Sequence, residues 1–220
     1  MYSTNIVSDI REYFINARKE EKYVTDKTGC KMLELVNASF VADEEAIFGK
    51  VNEDYVRREI QWYESRSLNV NDIPPPVPAI WKQVAASDGR INSNYGWCVY
   101  SEENHSQFIS CLKTLQNDPE SRRAIMIYTR PSMQVEYNKD GMSDFMCTNS
   151  VQYLIRDGRL HAIVNMRSND VVFGYKNDRA WAKHILFLLS DGLRVPMGNI
   201  HWAVGSLHVY ERHFDLVTND

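Results

Sequence analysis

No apolar run in the 220-residue sequence approaches the roughly 20 residues that cross a bilayer, so no transmembrane helix is expected. The start, Met1-Tyr2-Ser3-Thr4-Asn5, lacks a basic segment leading into an apolar one, and no secretory leader is read there. Only four cysteines occur (Cys30, Cys98, Cys111 and Cys147), and none shows the paired spacing of a zinc or redox site. Free thiols in a reducing, cytoplasmic setting are the simplest reading. There is no excess of positive charge: 25 Lys and Arg against 29 Asp and Glu leave a net charge of -4. That excludes general binding to nucleic-acid polymers, which needs many cations, but not a nucleotide, which needs only a few. Phosphate-cradling patterns G-x-x-x-x-G-K-[ST] and G-x-G-x-x-G are missing, no metal-ligand cluster stands out, and no metal is expected. Nor is there an internal repeat or a low-complexity tract. With 44% hydrophobic and 25% charged residues, the composition is that of one sizeable folded domain spanning 1-220.

What is present gathers between Asp144 and Trp181. Met146-Cys147-Thr148-Asn149-Ser150 leads into the apolar run Val151-Gln152-Tyr153-Leu154-Ile155. The turn Arg156-Asp157-Gly158-Arg159 leads into a second run, Leu160 to Val164. That run exits through Asn165-Met166-Arg167-Ser168-Asn169-Asp170, and a polar group, Lys176-Asn177-Asp178-Arg179, follows Gly174. Two β-type runs thus carry a thiol at the mouth of one and a dense polar cluster at the exit of the other.

Elsewhere, periodicity predicts helices over Ile6 to Glu21 and Glu53 to Ser65, with Glu59 and Trp62 neighbours on the latter. Pro74 to Pro78 forms a stiff extended connection, not a domain boundary. Lys31 to Phe40 reads as a strand pair or a strand and loop, and Ile91 to Trp97 as a binding loop. Asn104 to Leu115 is expected to be helical, Ala124 to Tyr128 a strand, Trp181 to Leu193 a helix, and Gly205 to Tyr210 the last strand.

Cys147 is the candidate nucleophile, since a thiolate attacks and a nearby guanidinium such as Arg167 would favour ionisation. The ordinary alternative, a buried small hydrophobe, is weakened by its polar neighbours Asp144, Thr148 and Asn149. Arg122 and Arg123 suit a phosphate, as do Lys27, Arg167 and Ser168, although a pair of loop arginines is commonly just solvated. Glu59, beside Trp62, offers a general acid or base, against the plainer reading of a surface carboxylate paired with Arg57 or Arg58. Asn177 and Asp178 could read the edge of a heterocycle, or Asp178 could merely cap the helix entering Trp181. His208 and Tyr210 alternate on a strand, so both face one side, where they could hold a sugar hydroxyl. These residues together favour a thiol enzyme acting on a small anionic substrate.

Several of these segments, in order, resemble the thymidylate synthase family. They are Asp26-Lys27-Thr28-Gly29, the helix from Glu59 to Trp62, Ile80-Trp81, Tyr95-Gly96, and Asp118 to Arg123. Cys147, then Met166-Arg167-Ser168-Asn169-Asp170 to Gly174, and His208-Val209-Tyr210 complete the set, which covers nearly the whole chain. The resemblance implies an α/β (α+β) fold, a large mixed β-sheet flanked by helices, and a sheet-to-sheet homodimer. It implies that Cys147 adds to carbon 6 of a pyrimidine nucleotide, so that carbon 5 can take a one-carbon unit from the co-substrate 5,10-methylenetetrahydrofolate. Glu59 would assist release of tetrahydrofolate through water. Arg122 and Arg123 would reach across the dimer to the partner's substrate phosphate, joined by Arg167, Ser168 and Lys27. Asn169 and Asp170 belong to the same substrate-binding run. His208 and Tyr210 would hold the deoxyribose, and Trp81, Tyr95 and Asp170 would line the folate site.

Counted from Gly174, Asp178 stands where family members using deoxyuridylate carry an asparagine. A carboxylate suits the amino group of cytosine, so deoxycytidylate (dCMP) is the implied substrate. Thr148 and Met166 replace the histidine and glutamine common in synthases, in keeping with a branch that hydrates the intermediate to a hydroxymethyl group. A hydroxymethylase acting on deoxyuridylate (dUMP) and a reductive synthase stay open as alternatives, with a non-catalytic nucleotide- or RNA-binding relative further off. Lys27 departs from the family's usual arginine. The sequence also stops soon after Tyr210, and Trp181 to Ile200 is short for the family. Either the folate site closes differently or the sequence is incomplete.

Overall fold

The computed structural model describes residues 5–26 and 28–218. Along the chain come α1 (Val7–Lys19), β1 (Val24–Thr25), β2 (Lys31–Val41), α2 (Glu53–Ser65), α3 (Ala79–Val84), α4 (Tyr95–Tyr100) and α5 (Gln107–Asn117). Then follow β3 (Ile125–Ile127), α6 (Met133–Glu136), β4 (Thr148–Arg156), β5 (Arg159–Asp170), α7 (Gly174–Leu193) and β6 (Met197–Tyr210). These elements divide into two compact units, one made of 1–51 with 156–220 and the other of 52–155.

In the first unit, period-two patterning builds the sheet. Leu160, Ala162, Val164 and Met166 of β5 are buried, as are Ile200, Trp202 and Val204 of β6 and Ala38 and Phe40 of β2. β2 runs antiparallel to both β1 and β6, whereas β5 runs parallel to β6, so the sheet is mixed. The parallel pair requires a crossover, and α7 supplies it. Ile10, Phe14 and Ala17 recur at helical spacing on α1 and are buried, as are Ile185, Leu186 and Leu189 on α7. Lys31 to Phe40 is one long strand, in which Asn37 adopts a left-handed conformation (φ 57°).

The expected helix over Trp181 to Leu193 begins earlier, at Gly174. Its opening turns hold the polar group Lys176-Asn177-Asp178-Arg179, which the expected helix leaves out, yet Lys176 and Arg179 are buried. Their donors serve backbone carbonyls of the 42–50 segment: Arg179 Nε to Ala42 O at 2.8 Å and Lys176 Nζ to Lys50 O at 2.9 Å. Tyr175 donates its hydroxyl to Glu44 O at 2.8 Å. Burial holds the Lys176 ammonium below its ordinary pKa. The start of α7 is therefore fastened at three points.

In the second unit, Asn52 caps α2 by accepting from Tyr55 N at 3.0 Å, and Trp62 and Tyr63 face the core. α4 crosses α2 so closely that a Cβ on Gly96 would lie 1.7 Å from the Tyr63 carbonyl oxygen; only glycine fits. Asn94 caps α4 by accepting from Trp97 N, and its amide donates to the carbonyls of Trp62 and Ser67. The segment expected as a binding loop is therefore core: Asn92, Ser93, Asn94 and Tyr95 are all buried. Asp144 holds it, accepting from Asn92 N (2.7 Å), Ser93 N (2.8 Å) and Ser93 Oγ (2.6 Å). β3 pairs antiparallel with β4.

Tyr153 on β4 is fully buried, and its hydroxyl has no hydrogen-bond partner among the described residues. Burial drives its pKa well above the ordinary value. Since an unsatisfied buried hydroxyl costs about 1–3 kcal/mol, Tyr153→Phe is expected to leave urea-unfolding stability unchanged or raise it by about 1 kcal/mol. A loss of stability of that size would show that the hydroxyl is satisfied in solution.

Candidate active site

Glu59 sits on the inner face of α2, 5% exposed. Its neighbours Arg57 and Arg58 do not pair with it; they bind Asp54 at 2.5 and 2.9 Å. One turn before Glu59, the Tyr55 hydroxyl donates to Glu59 Oε1 at 2.5 Å and accepts from Trp81 Nε1 at 2.8 Å. Trp81 in turn meets Trp62 edge-on, with ring centroids 5.2 Å apart. The helix thus presents a buried carboxylate held by a phenol, and the phenol is oriented by an indole. Tyr55 escaped sequence reading, although its position four residues before Glu59 on one helix face was a usable signal.

Cys147 immediately precedes β4 and is half-buried, the strand-mouth position expected of it. Cys98 and Cys111 differ sharply: burial pushes both thiols up to about 12, where they stay protonated and inert at neutral pH. Next to Cys147, Thr148 donates to the Tyr95 hydroxyl at 3.1 Å. Tyr95 is 5% exposed and stacks on Tyr63 at 5.1 Å. Arg122 and Arg123 precede β3 with exposed side chains, Arg123 at 85% and only 3.9 Å from Asp118.

In the first unit, β5 ends in exposed Arg167, half-buried Ser168 and buried Asn169. Asp170 accepts from Val172 N (2.9 Å) and Phe173 N (2.6 Å) through one oxygen, which turns the chain into α7. Asp178 lies inside α7 rather than at its cap, so the capping explanation of this residue falls away. Its Oδ2 accepts from Asn169 Nδ2 at 2.7 Å. Asn169 Oδ1 accepts from Trp202 Nε1 at 3.3 Å, a partner that no local signal in the sequence announces. His208 and Tyr210 face the same side of β6, as alternation requires, with ring centroids 5.0 Å apart. Burial raises the Tyr210 hydroxyl pKa, helped by Asp26. Lys27 lies outside the described residues.

Site residues therefore fall into clusters: Glu59 with Trp81, and Thr148 with Tyr95, in the second unit; Asn169 with Asp178, and His208 with Tyr210, in the first. A model of the thymidylate synthase family matches residues 15–220. The chain belongs to the thymidylate synthase family. It is 58% identical over 218 residues to the deoxycytidylate 5-hydroxymethyltransferase of Enterobacteria phage T4, covering 96% of this chain and 89% of that protein. The phage T2 protein of the same description matches to the same extent. Identity to the thymidylate synthase of Bacillus subtilis subsp. natto is 28% over 165 residues, covering 72% of this chain and 57% of that one. Among solved structures, thymidylate synthase A from Bacillus subtilis superposes with a TM-score of 0.69 at 23% identity, covering 93% of this chain and 81% of the other. The family fold expected from the sequence, a mixed sheet with helices, is the one found.

No helix among the described residues is long and apolar enough to cross a membrane.

Proposed function

We propose that this thymidylate synthase family chain is a deoxycytidylate 5-hydroxymethyltransferase, a folate-dependent one-carbon transferase. It would convert dCMP, 5,10-methylenetetrahydrofolate and water into 5-hydroxymethyl-dCMP and tetrahydrofolate. The observation that carries this reading is Asp178, a carboxylate fixed on α7 by Asn169, together with 58% identity to the phage T4 protein so described.

In this reading the Cys147 thiolate adds to carbon 6 of the cytosine, and the displaced electron pair makes carbon 5 a nucleophile. The folate would supply the one-carbon unit to carbon 5, and loss of the carbon 5 proton with departure of tetrahydrofolate, assisted by Glu59 through water, would leave an exocyclic methylene. Glu59, oriented by Tyr55, moves protons through water as the resulting exocyclic methylene is hydrated. Expulsion of the Cys147 thiolate then restores the ring. Arg167, Ser168 and Lys27 bind the phosphate, with Arg122 and Arg123 contributed from the second chain of a homodimer; their exposed side chains are compatible with that. His208 and Tyr210 hold the deoxyribose, and Asn169 and Asp170 complete the substrate-binding run. Trp81, Tyr95 and Asp170 belong to the folate site. A half-buried indole at Trp81 beside Ile80, 57% exposed, suits a planar ring system that needs an apolar platform. The reaction is assigned to a single catalytic domain acting in the cytoplasm, with no metal.

Incubation with methylenetetrahydrofolate and either nucleotide tests the proposal. Hydroxymethyl-dCMP and tetrahydrofolate are expected with dCMP. Dihydrofolate formation from dUMP, without any hydroxymethyl product from dCMP, would overturn it in favour of reductive methylation. Within the reaction, Tyr55→Phe removes the donor to Glu59. It is expected to lower kcat on the order of tenfold to a hundredfold while the KM for dCMP changes little. A rise in KM at constant kcat would instead place Tyr55 in ground-state binding.

A further inference from the structure

Tyr210 closes β6, and the short helical turn Glu211–Leu216 follows it directly. That turn is pinned on both sides of Arg212. Glu211 pairs with Lys31 at 3.3 Å, and the buried Phe214 stacks on Tyr23 with ring centroids 5.4 Å apart. Arg212 is exposed, yet its guanidinium is held at two points within the first unit. It lies over the Tyr210 ring, 4.5 Å from the centroid, and its Nε donates to His213 Nε2 at 3.1 Å. The His213 ring in turn meets Phe173 edge-on, with centroids 5.0 Å apart, which keeps the acceptor in place. Tyr210 also meets the His208 ring edge-on at 5.0 Å, and His208 Nδ1 lies 3.3 Å from Ser206 O. An imidazole and a guanidinium thus hold the phenol between them. An exposed arginine ordinarily wanders; a planar cation on an aromatic face does not.

We infer that Arg212 is a positioning residue: stacked on Tyr210 and anchored by His213, it fixes the phenol that binds the 3′-hydroxyl of the nucleotide sugar. The inference rests on the proposed reading of His208 and Tyr210 as the pair that holds the deoxyribose. In a 5′-deoxynucleotide the 3′-hydroxyl is the one free hydroxyl of the sugar, so the pair has a single group to grip. A phenol reaches it only when the ring stands at the right angle, and the guanidinium sets that angle from one face. The cation has a second effect, drawing electron density from the ring and making the O–H a better donor. Burial and Asp26 hold the Tyr210 pKa up, and Arg212 works against them. A cation that only attracted the phosphate would need no aromatic partner and would favour every anionic nucleotide alike. The stacked pair instead gives help that depends on the sugar hydroxyl.

Titration calorimetry with dCMP and with 2′,3′-dideoxycytidylate, which lacks that hydroxyl, separates the two roles without requiring turnover. Arg212→Met keeps the length of the side chain and removes the planar cation, at an exposed position where folding is not at stake. It is expected to bind dCMP about two- to fivefold more weakly, the loss of one cation–π contact at an exposed site. Its dissociation constant for the dideoxy nucleotide should stay that of the unaltered protein. Tyr210→Phe should also weaken dCMP alone, and adding Arg212→Met to it should cost nothing further, because no hydroxyl is left to position. Equal weakening of both nucleotides in Arg212→Met, unchanged dCMP binding there, or a further loss in the double variant overturns the inference. If Tyr210→Phe weakens both nucleotides equally, or neither, Tyr210 does not hold the sugar hydroxyl; the deoxyribose reading then falls, and the inference with it. Absence of hydroxymethyl-dCMP from the unaltered protein would remove the proposed reaction while leaving these binding constants to decide the role of Arg212.

Discussion

Replacing Cys147 with alanine is expected to stop hydroxymethyl transfer, a loss on the order of 10,000-fold or more in kcat. Carbon 5 of cytosine is not nucleophilic enough to take a one-carbon unit until a group has added at carbon 6, and among the cysteines only Cys147 sits at the mouth of β4 beside the Thr148–Tyr95 pair. Cys98 and Cys111 cannot stand in for it: burial pushes both to about 12, so neither forms a thiolate at neutral pH. Cys30 belongs to the turn in which Asp26 accepts from Thr28 N and Cys30 N, in the other unit. Two measurements check the expectation. Product formation should vanish, and exchange of the carbon 5 hydrogen of dCMP with solvent, which needs addition at carbon 6 but no completed transfer, should vanish with it. Thermal unfolding should change little, because a half-buried thiol contributes modest packing. If exchange persisted in the alanine variant, the nucleophile would have to be sought elsewhere.

The second large effect is expected at Asp178. Asp178→Asn should swing the dCMP-to-dUMP preference on the order of a thousandfold, since a site built to satisfy one hydrogen-bond pattern leaves a buried group unpaired with the other. The helix start carrying this residue is rigidly placed by Tyr175, Lys176 and Arg179, so the substitution has little freedom to relax. Turnover with dUMP need not yield thymidylate. In the proposed mechanism, what meets the exocyclic methylene would decide between hydration and reduction, whereas the side chain at 178 would govern only which base is accepted. Measuring kcat/KM for both nucleotides, with product analysis, separates the two. A variant that lost dCMP activity without gaining any on dUMP would show that Asp178 does more than read the base.

The legible parts of this protein were local ones. Helical spacing of apolar residues identified α1 and all of α2, and apolar runs bounded by a turn identified much of β4 and the first part of β5. The segments misjudged were those whose polar residues are buried by distant partners. The helix expected from Trp181 left out Gly174 to Ala180, where Lys176 and Arg179 stood in a polar group, yet each donates to a carbonyl more than a hundred positions away. Asn92 to Asn94 read as a binding loop for the same reason, and Asp144 turns them into core. A polar side chain in sequence does not announce whether water or a buried partner will satisfy it.

The same division runs through the site. Sequence alone determined the family, the thiol at the strand mouth, the carboxylate at position 59 and the carboxylate rather than amide at 178. These follow from residue identity and spacing, which the chain carries locally. Tertiary structure decided what those groups can do. It buried Glu59 and gave it to Tyr55 instead of Arg57 or Arg58, and it placed Asp178 within a helix, not at its cap. It also brought Trp202 from the neighbouring parallel strand to orient Asn169. The direction of a hydrogen bond depends on the partner, and strand register across the sheet chooses that partner.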